Sequence, residues 1–201
     1  MRAGDASQFL GMTQRIFLPV AFLALLLLGV SGPGSRAWAG QEDARLGGLF
    51  QDLQTAGDAV AAEAVENSIW DIWLEHPDDD LIVLMHHGVQ DLNAERYGEA
   101  LAAFDQVVAA DPTYAEGWNK RANAEYLLGD YDAAVRDIRR VLALEPRHFG
   151  ALAGLGLVYL AIDQPAGALR AFDAALAINP HLELVRRQAM NIRLRMAGSA
   201  L

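Results

Sequence analysis

Two kinds of apolar pattern divide the chain. From Ile16 to Val30 the residues are almost continuously apolar, whereas beyond Gly40 apolar side chains recur every three or four positions, the spacing of one face of an α-helix. The periodic stretches are broken at clusters of turn residues, Thr55-Ala56-Gly57-Asp58, Ala94-Glu95-Arg96-Tyr97 and Leu128-Gly129-Asp130-Tyr131. The pattern predicts an all-α fold made of short helices joined in pairs.

A second regularity lies over the first. Asp111-Pro112, Glu145-Pro146 and Asn179-Pro180 stand 34 residues apart, and other residue classes recur at that interval. Gly88, Ala122 and Gly156 form one set, Ala100, Ala134 and Ala168 another, and Phe104, Ile138 and Phe172 a third. Small residues at the eighth and twentieth places of a unit let two helices approach closely, and the large residue at the twenty-fourth fills the space beside that contact. An acid or Asn followed by Pro stops the second helix. Each 34-residue unit is therefore a helical hairpin, over residues 81–114, 115–148 and 149–182.

The pattern W-x2-L-G-x2-Y, then A-x3-F, then P, resembles the tetratricopeptide repeat. Trp118, Ala122, Ala134 and Pro146 match it in the middle unit, and Leu155-Gly156, Tyr159, Ala168, Phe172 and Pro180 in the last. The resemblance implies an α-α superhelix, a solenoid of stacked hairpins whose first helices line a concave side. By that register the lining includes Met85 and Val89 from the first unit, Asn119, Asn123 and Tyr126 from the second, and Leu157 from the third. Asn119 and Asn123, four apart, share a helix face, and amides both donate to and accept from a peptide backbone, with Tyr126 placed to pack against it. These six are the candidate partner-binding residues. Members of the family that clamp an acidic C-terminus use a basic groove with Lys and Asn. Only Lys120 and Asn123 answer to that pattern, which points away from an acidic tail.

The pattern departs from the family at its seventh and eleventh places, which hold His87 and Asp91 in the first unit and Arg121 and Glu125 in the second. A base and an acid four apart on one face read as structural ion pairs between neighbouring helices, and a His87–Asp91 catalytic dyad is the alternative. No phosphate loop, catalytic triad or convincing carboxylate pair accompanies them, so the chain is not expected to be an enzyme or to carry a cofactor.

A repeat array needs covered ends. Residues 40–80 read as a degenerate helical hairpin ahead of the first unit, with Trp70 and Trp73 three apart on a buried face, and Asp78-Asp79-Asp80 as a helix N-terminus rather than a calcium loop. Residues 183–201 read as a capping helix and tail, with Leu182, Val185, Ala189, Ile192 and Met196 as the apolar stripe.

Charge and composition narrow the function. The net charge of -10 disfavours nucleic acid as a partner, and the absence of cysteine removes disulfides and thiolate chemistry. The charge is uneven: residues 40–112 hold 16 acids against Arg45 and Arg96, while residues 113–201 hold nine acids against 11 bases. The acidic half points to a basic protein or peptide partner. Ile16–Val30 spans roughly 22 Å, short of the ~30 Å hydrocarbon core, and precedes the small-residue site Ala37-Trp38-Ala39. Residues 1–39 therefore read as a signal peptide cleaved before Gly40, with an uncleaved membrane anchor as the alternative and Met12 as an alternative start. A chain so processed is exported, without stable membrane insertion, to the periplasm of a Gram-negative bacterium. The single lysine beside 15 arginines agrees with a bacterial source. The expected function is a protein-interaction scaffold or assembly factor of the cell envelope. The alternative, a periplasmic metal- or small-ligand-binding accessory protein, would centre on His86 and His87 with His76, although adjacent histidines face different sides of a helix and a metal site is not expected.

Overall fold

The structure, a computed structural model, describes residues 40–198. Residues 1–39, on which the expected signal peptide falls, and the last three residues of the tail lie outside them. Among the described residues there are nine α-helices and no strand. A short 3-10 turn, Gly40–Glu42, leads into α1 (Arg45–Thr55) and α2 (Ala59–Leu74). The repeat units follow as α3 (Asp79–Asn93) with α4 (Tyr97–Ala110), α5 (Ala115–Leu128) with α6 (Tyr131–Leu144), and α7 (Phe149–Ala161) with α8 (Pro165–Ile178), and the last helix is α9 (Glu183–Gly198).

The 34-residue period is visible in the packing. Ala100, Ala134 and Ala168 are fully buried, as are Phe104 and Phe172, with Ile138 nearly so. Built Cβ atoms on Gly88 and Gly156 would fall 2.5 and 2.2 Å from the rings of Phe104 and Phe172, so both hairpins close only because the eighth residue has no side chain. The middle unit makes the complementary choice, Ala122 with Ile138. The period also reaches the backbone. The turn within each unit needs one left-handed residue, supplied by Glu95 (φ 59), Gly129 (φ 83) and Asp163 (φ 55), a conformation that carries no steric cost only for the glycine.

Between units, a third device repeats. Asp111, Glu145 and Asn179 each accept, through a side-chain oxygen, the backbone N–H two residues on, at 2.7, 2.9 and 3.0 Å. Proline in the intervening position has no N–H to compete, so the acid-or-Asn–Pro pair sets the turn that starts each next helix. The second helix of each unit then packs on the first helix of the next, α4 on α5, α6 on α7 and α8 on α9. First helices also touch first helices, α3 with α5 and α5 with α7, while second helices make no comparable contact with each other. The first helices thus form the inner, concave side of the curve.

The helix ends obey local chemistry. Asp78 accepts from the N–H groups of Asp80 and Leu81, capping α3 as the acidic run predicts, and Asp58 and Asp130 cap α2 and α6 in the same manner. In α9 Val185, Ala189 and Ile192 are buried with Leu182, whereas Met196, expected in the same stripe, is exposed at the last turn.

One expectation about architecture needs correcting. Residues 45–74 do form a hairpin, but it does not extend the stack as a unit ahead of α3. In a continuous stack Trp73 and Leu74 would meet Val83 as Val107 and Val108 meet Gly117. Instead Val83 is 51% exposed, and the tryptophans lie against α7. The outer face of α3 is left to solvent with Asp79, His87 and Gln90, a polar end that needs no cap.

Candidate functional site: a groove filled by the chain's own hairpin

The concave side is where the candidate residues converge, and the α1–α2 hairpin lies in it. Trp73 stacks on His148, with ring centroids 4.1 Å apart and planes 8° from parallel. Trp70 meets His148 and Phe149 edge-on at 5.5 and 5.4 Å and carries the Lys120 ammonium 5.8 Å from its ring. A Cβ on Gly150 would fall 2.6 Å from Trp70 Cη2, so the indole occupies space that only glycine leaves open. Together His148, Phe149, Gly150 and Lys120 form a slot for two tryptophans three apart on one helix face.

Polar contacts fix the hairpin at both ends. The Gln54 amide donates to the carbonyls of Ala177 and Ile178, and His181 Nε2 to that of Leu53, so each helix C-terminus, α8 and α1, receives donors from the other side. Asn179 Nδ2 donates to Glu66 Oε2 at 2.8 Å, and Glu66 Oε1 accepts from the Trp70 indole. At the opposite end Tyr114 donates to the Leu74 carbonyl, Gln41 to that of Thr113, and His76 pairs with Asp111 at 3.0 Å. Residues 40–78 hold nine acids against Arg45, and they pack on the half of the chain that carries most of the bases.

The floor under the tryptophans is charged. Glu116 is fully buried, with Oε2 accepting from His148 Nε2 and from the Asn119 amide, both at 3.0 Å. Lys120 Nζ lies 2.9 Å from Oε1, an ion contact without aligned hydrogen-bond geometry. Since His148 Nδ1 accepts the Ala151 N–H, the ring proton given to Glu116 is on Nε2. Burial alone would raise the Glu116 pKa, but the Lys120 charge and the His148 hydrogen bond outweigh it and hold the carboxyl at about 2. Above the tryptophans the balance differs: the buried Trp73 indole N–H has no acceptor.

The candidate partner-binding residues divide into two groups. Asn119 is 3% exposed and spends its amide on Glu116, Met85 is buried with Leu81, Leu92 and Phe104, and Leu157 is buried in the cluster that includes the hairpin. None of these three is presented to a partner: Met85 is buried between the helices of the repeats themselves, and Asn119 and Leu157 lie on the side that the hairpin fills. Val89, Asn123 and Tyr126 remain half-buried on the inner side, Tyr126 with its ring 5.8 Å from Tyr131. His148 and Gly150, which make the slot, were not among the candidates. Gly150 carries a signal in the repeat register, since its counterparts are Ile82 and Glu116.

The departures from the repeat pattern resolve differently. Arg121 reaches Asp137 at 2.6 Å and Asp105 at 2.9 Å, joining α6 to α4 across units, with Glu125 farther at 3.9 Å. Glu125 is pushed well above the carboxylate range by burial and by Asp137 beside it. The expected His87–Asp91 pair does not form, because Asp91 is taken by Arg96. His76 turns to Asp111, away from His86 and His87, and among the described residues no three His, Cys, Asp or Glu side chains gather as metal ligands. No helix among them is long and apolar enough to cross a membrane.

Stacked helical hairpins that curve around a concave side define a class, the helical repeat solenoids. The tetratricopeptide-repeat family model matches residues 88–137 and 119–183. A TPR repeat-containing protein of Rhizobium etli is 31% identical over 155 residues, 77% of this chain and 76% of the relative. The chain belongs to the tetratricopeptide-repeat family. The match to the Rhizobium protein is longer than the three units together, so the similarity runs into the flanking segments. Among solved structures, the first TPR of Spaghetti bound to an HSP90 peptide superposes with a TM-score of 0.56 at 21% identity, over 58% of this chain and 93% of that one. The TPR2B domain of yeast Sti1, in a complex with Hsp70, does so at 0.55 and 17%, over 59% and 99%. These share the fold.

Proposed function

We propose that the protein is a non-catalytic interaction scaffold of the cell envelope that takes a peptide or protein partner on its concave side. The observation that carries this reading is that the concave side already holds polypeptide: α2 lies along it through aromatic stacking, side-chain hydrogen bonds and backbone carbonyls. Solved domains of the same fold hold an HSP90 peptide and form a complex with Hsp70, which supports the same use here. The inner surface around Val89, Asn123 and Tyr126 is the part that the hairpin leaves accessible. An amide beside an aromatic ring suits an extended backbone. The envelope location rests on the apolar run Ile16–Val30 and the Ala37-Trp38-Ala39 site.

The test is site-specific photocrosslinking in the producing cells, with a benzophenone amino acid in place of Tyr126 and, as control, of exposed Asp132 on the outer helix α6. The reading expects protein adducts from position 126 in the envelope fraction and none from 132. Adducts from neither position, or equally from both, would remove it.

A further inference from the structure

The slot filled by Trp70 and Trp73 has features that a permanent core contact does not need. Its floor is the charged Glu116–Lys120–His148 cluster, and the Trp73 indole N–H buried above it has no acceptor. If the hairpin leaves, that donor regains water, so departure costs less than the aromatic area suggests. The hairpin is tied to the repeats only by Glu75-His76-Pro77-Asp78, and its contacts reach residues far along the chain, from Leu53 to His181 and from Glu66 to Asn179.

We propose that this slot is a second interaction site, selective for an amphipathic helix that presents two aromatic rings three residues apart, with an acid four residues before the first, and that the chain's own α2 is its resident competitor. The proposal rests on the scaffold reading and names a partner chemistry for it. Each part of the pattern has its receiver. The first ring enters the space left by Gly150 beneath Lys120, the second stacks on His148, and the acid accepts from Asn179. The occupant is a partner's helix, because α2 shows what fits and its tether makes it exchangeable in place. A tethered competitor acts at an effective concentration on the order of millimolar, so a free helix enters only when the hairpin is loosened or outmatched.

The probe is a fluorescein-labelled peptide of residues 59–75, added to the full chain and followed by anisotropy. Trp73→Ala in the chain is expected to raise affinity for the peptide at least tenfold, and so is the milder Glu66→Ala, which removes the acceptor for Asn179 without emptying the slot. Adding Gly150→Ala to either should abolish the gain, because the new methyl group fills the place of the first indole. Locking the hairpin down by a maleimide crosslink between cysteines introduced as Gln54→Cys and Ala177→Cys should block uptake. No uptake by either loosened variant, uptake indifferent to Gly150→Ala, or equal uptake with and without the crosslink overturns the proposal. Loosened chains that pair into dimers instead of taking peptide assign the slot to a second copy and also overturn it. None of these outcomes alters the photocrosslinking result at position 126, which reports on the scaffold reading alone.

Discussion

Glu116 shows at a single residue how the groove is held together. It is a buried acid whose lysine lies one helical turn away and whose histidine, the last residue of the same unit, caps the next helix, α7. Its pKa falls from the ordinary 4.5 to about 2. A carboxylate depressed on folding contributes stability that is complete above its unfolded value and is lost as pH falls through its folded value. The window here runs from 4.5 down to about 2, and the shift corresponds to about 3 kcal/mol. Glu116→Gln should therefore lower stability at neutral pH and flatten the fall in urea-unfolding free energy across that window. A variant that loses stability with acid as steeply as the parent would show that the cluster does not hold the carboxylate. Glu125 works in the opposite sense. Raised by burial and Asp137, it favours the protonated fold and loses stability as pH rises above its ordinary value.

At the scale of the element, the hairpins are matched pairs rather than copies. Gly faces Phe in the first and last units, and Ala faces Ile in the middle one. Gly156→Ala alone should destabilise by about 1–3 kcal/mol, since its methyl would sit 2.2 Å from the Phe172 ring. Phe172→Ile alone leaves unfilled space and should also destabilise. Combined, they recreate the middle unit's solution, and the double variant should recover part of the loss in a thermal-unfolding cycle. Additive losses would mean that the pairing is incidental. These elements were legible in the sequence because a 34-residue repeat reports each contact three times. The left-handed positions Glu95 and Asp163 were not, since only their counterpart Gly129 has the residue type that announces such a turn.

For the whole molecule, legibility ended where the repeat ended. The aromatic pair on α2 was readable as a buried face, but what it would be buried against was not, because nothing local distinguishes stacking on α3 from lying in the groove. The deciding partners, His148 and Gly150, come more than seventy residues later and fall outside the repeat's signature positions. The same ambiguity misplaced Asn119 and Leu157 on an open surface. A groove occupied by its own hairpin is the central claim, and paired cysteine crosslinking at dilute protein concentration tests it most directly. With Gln54→Cys and Ala177→Cys, a short bismaleimide should give an intrachain crosslink, as the Gln54 amide reaches the Ala177 carbonyl. No intrachain crosslink at this pair would place the hairpin outside the groove and contradict the account.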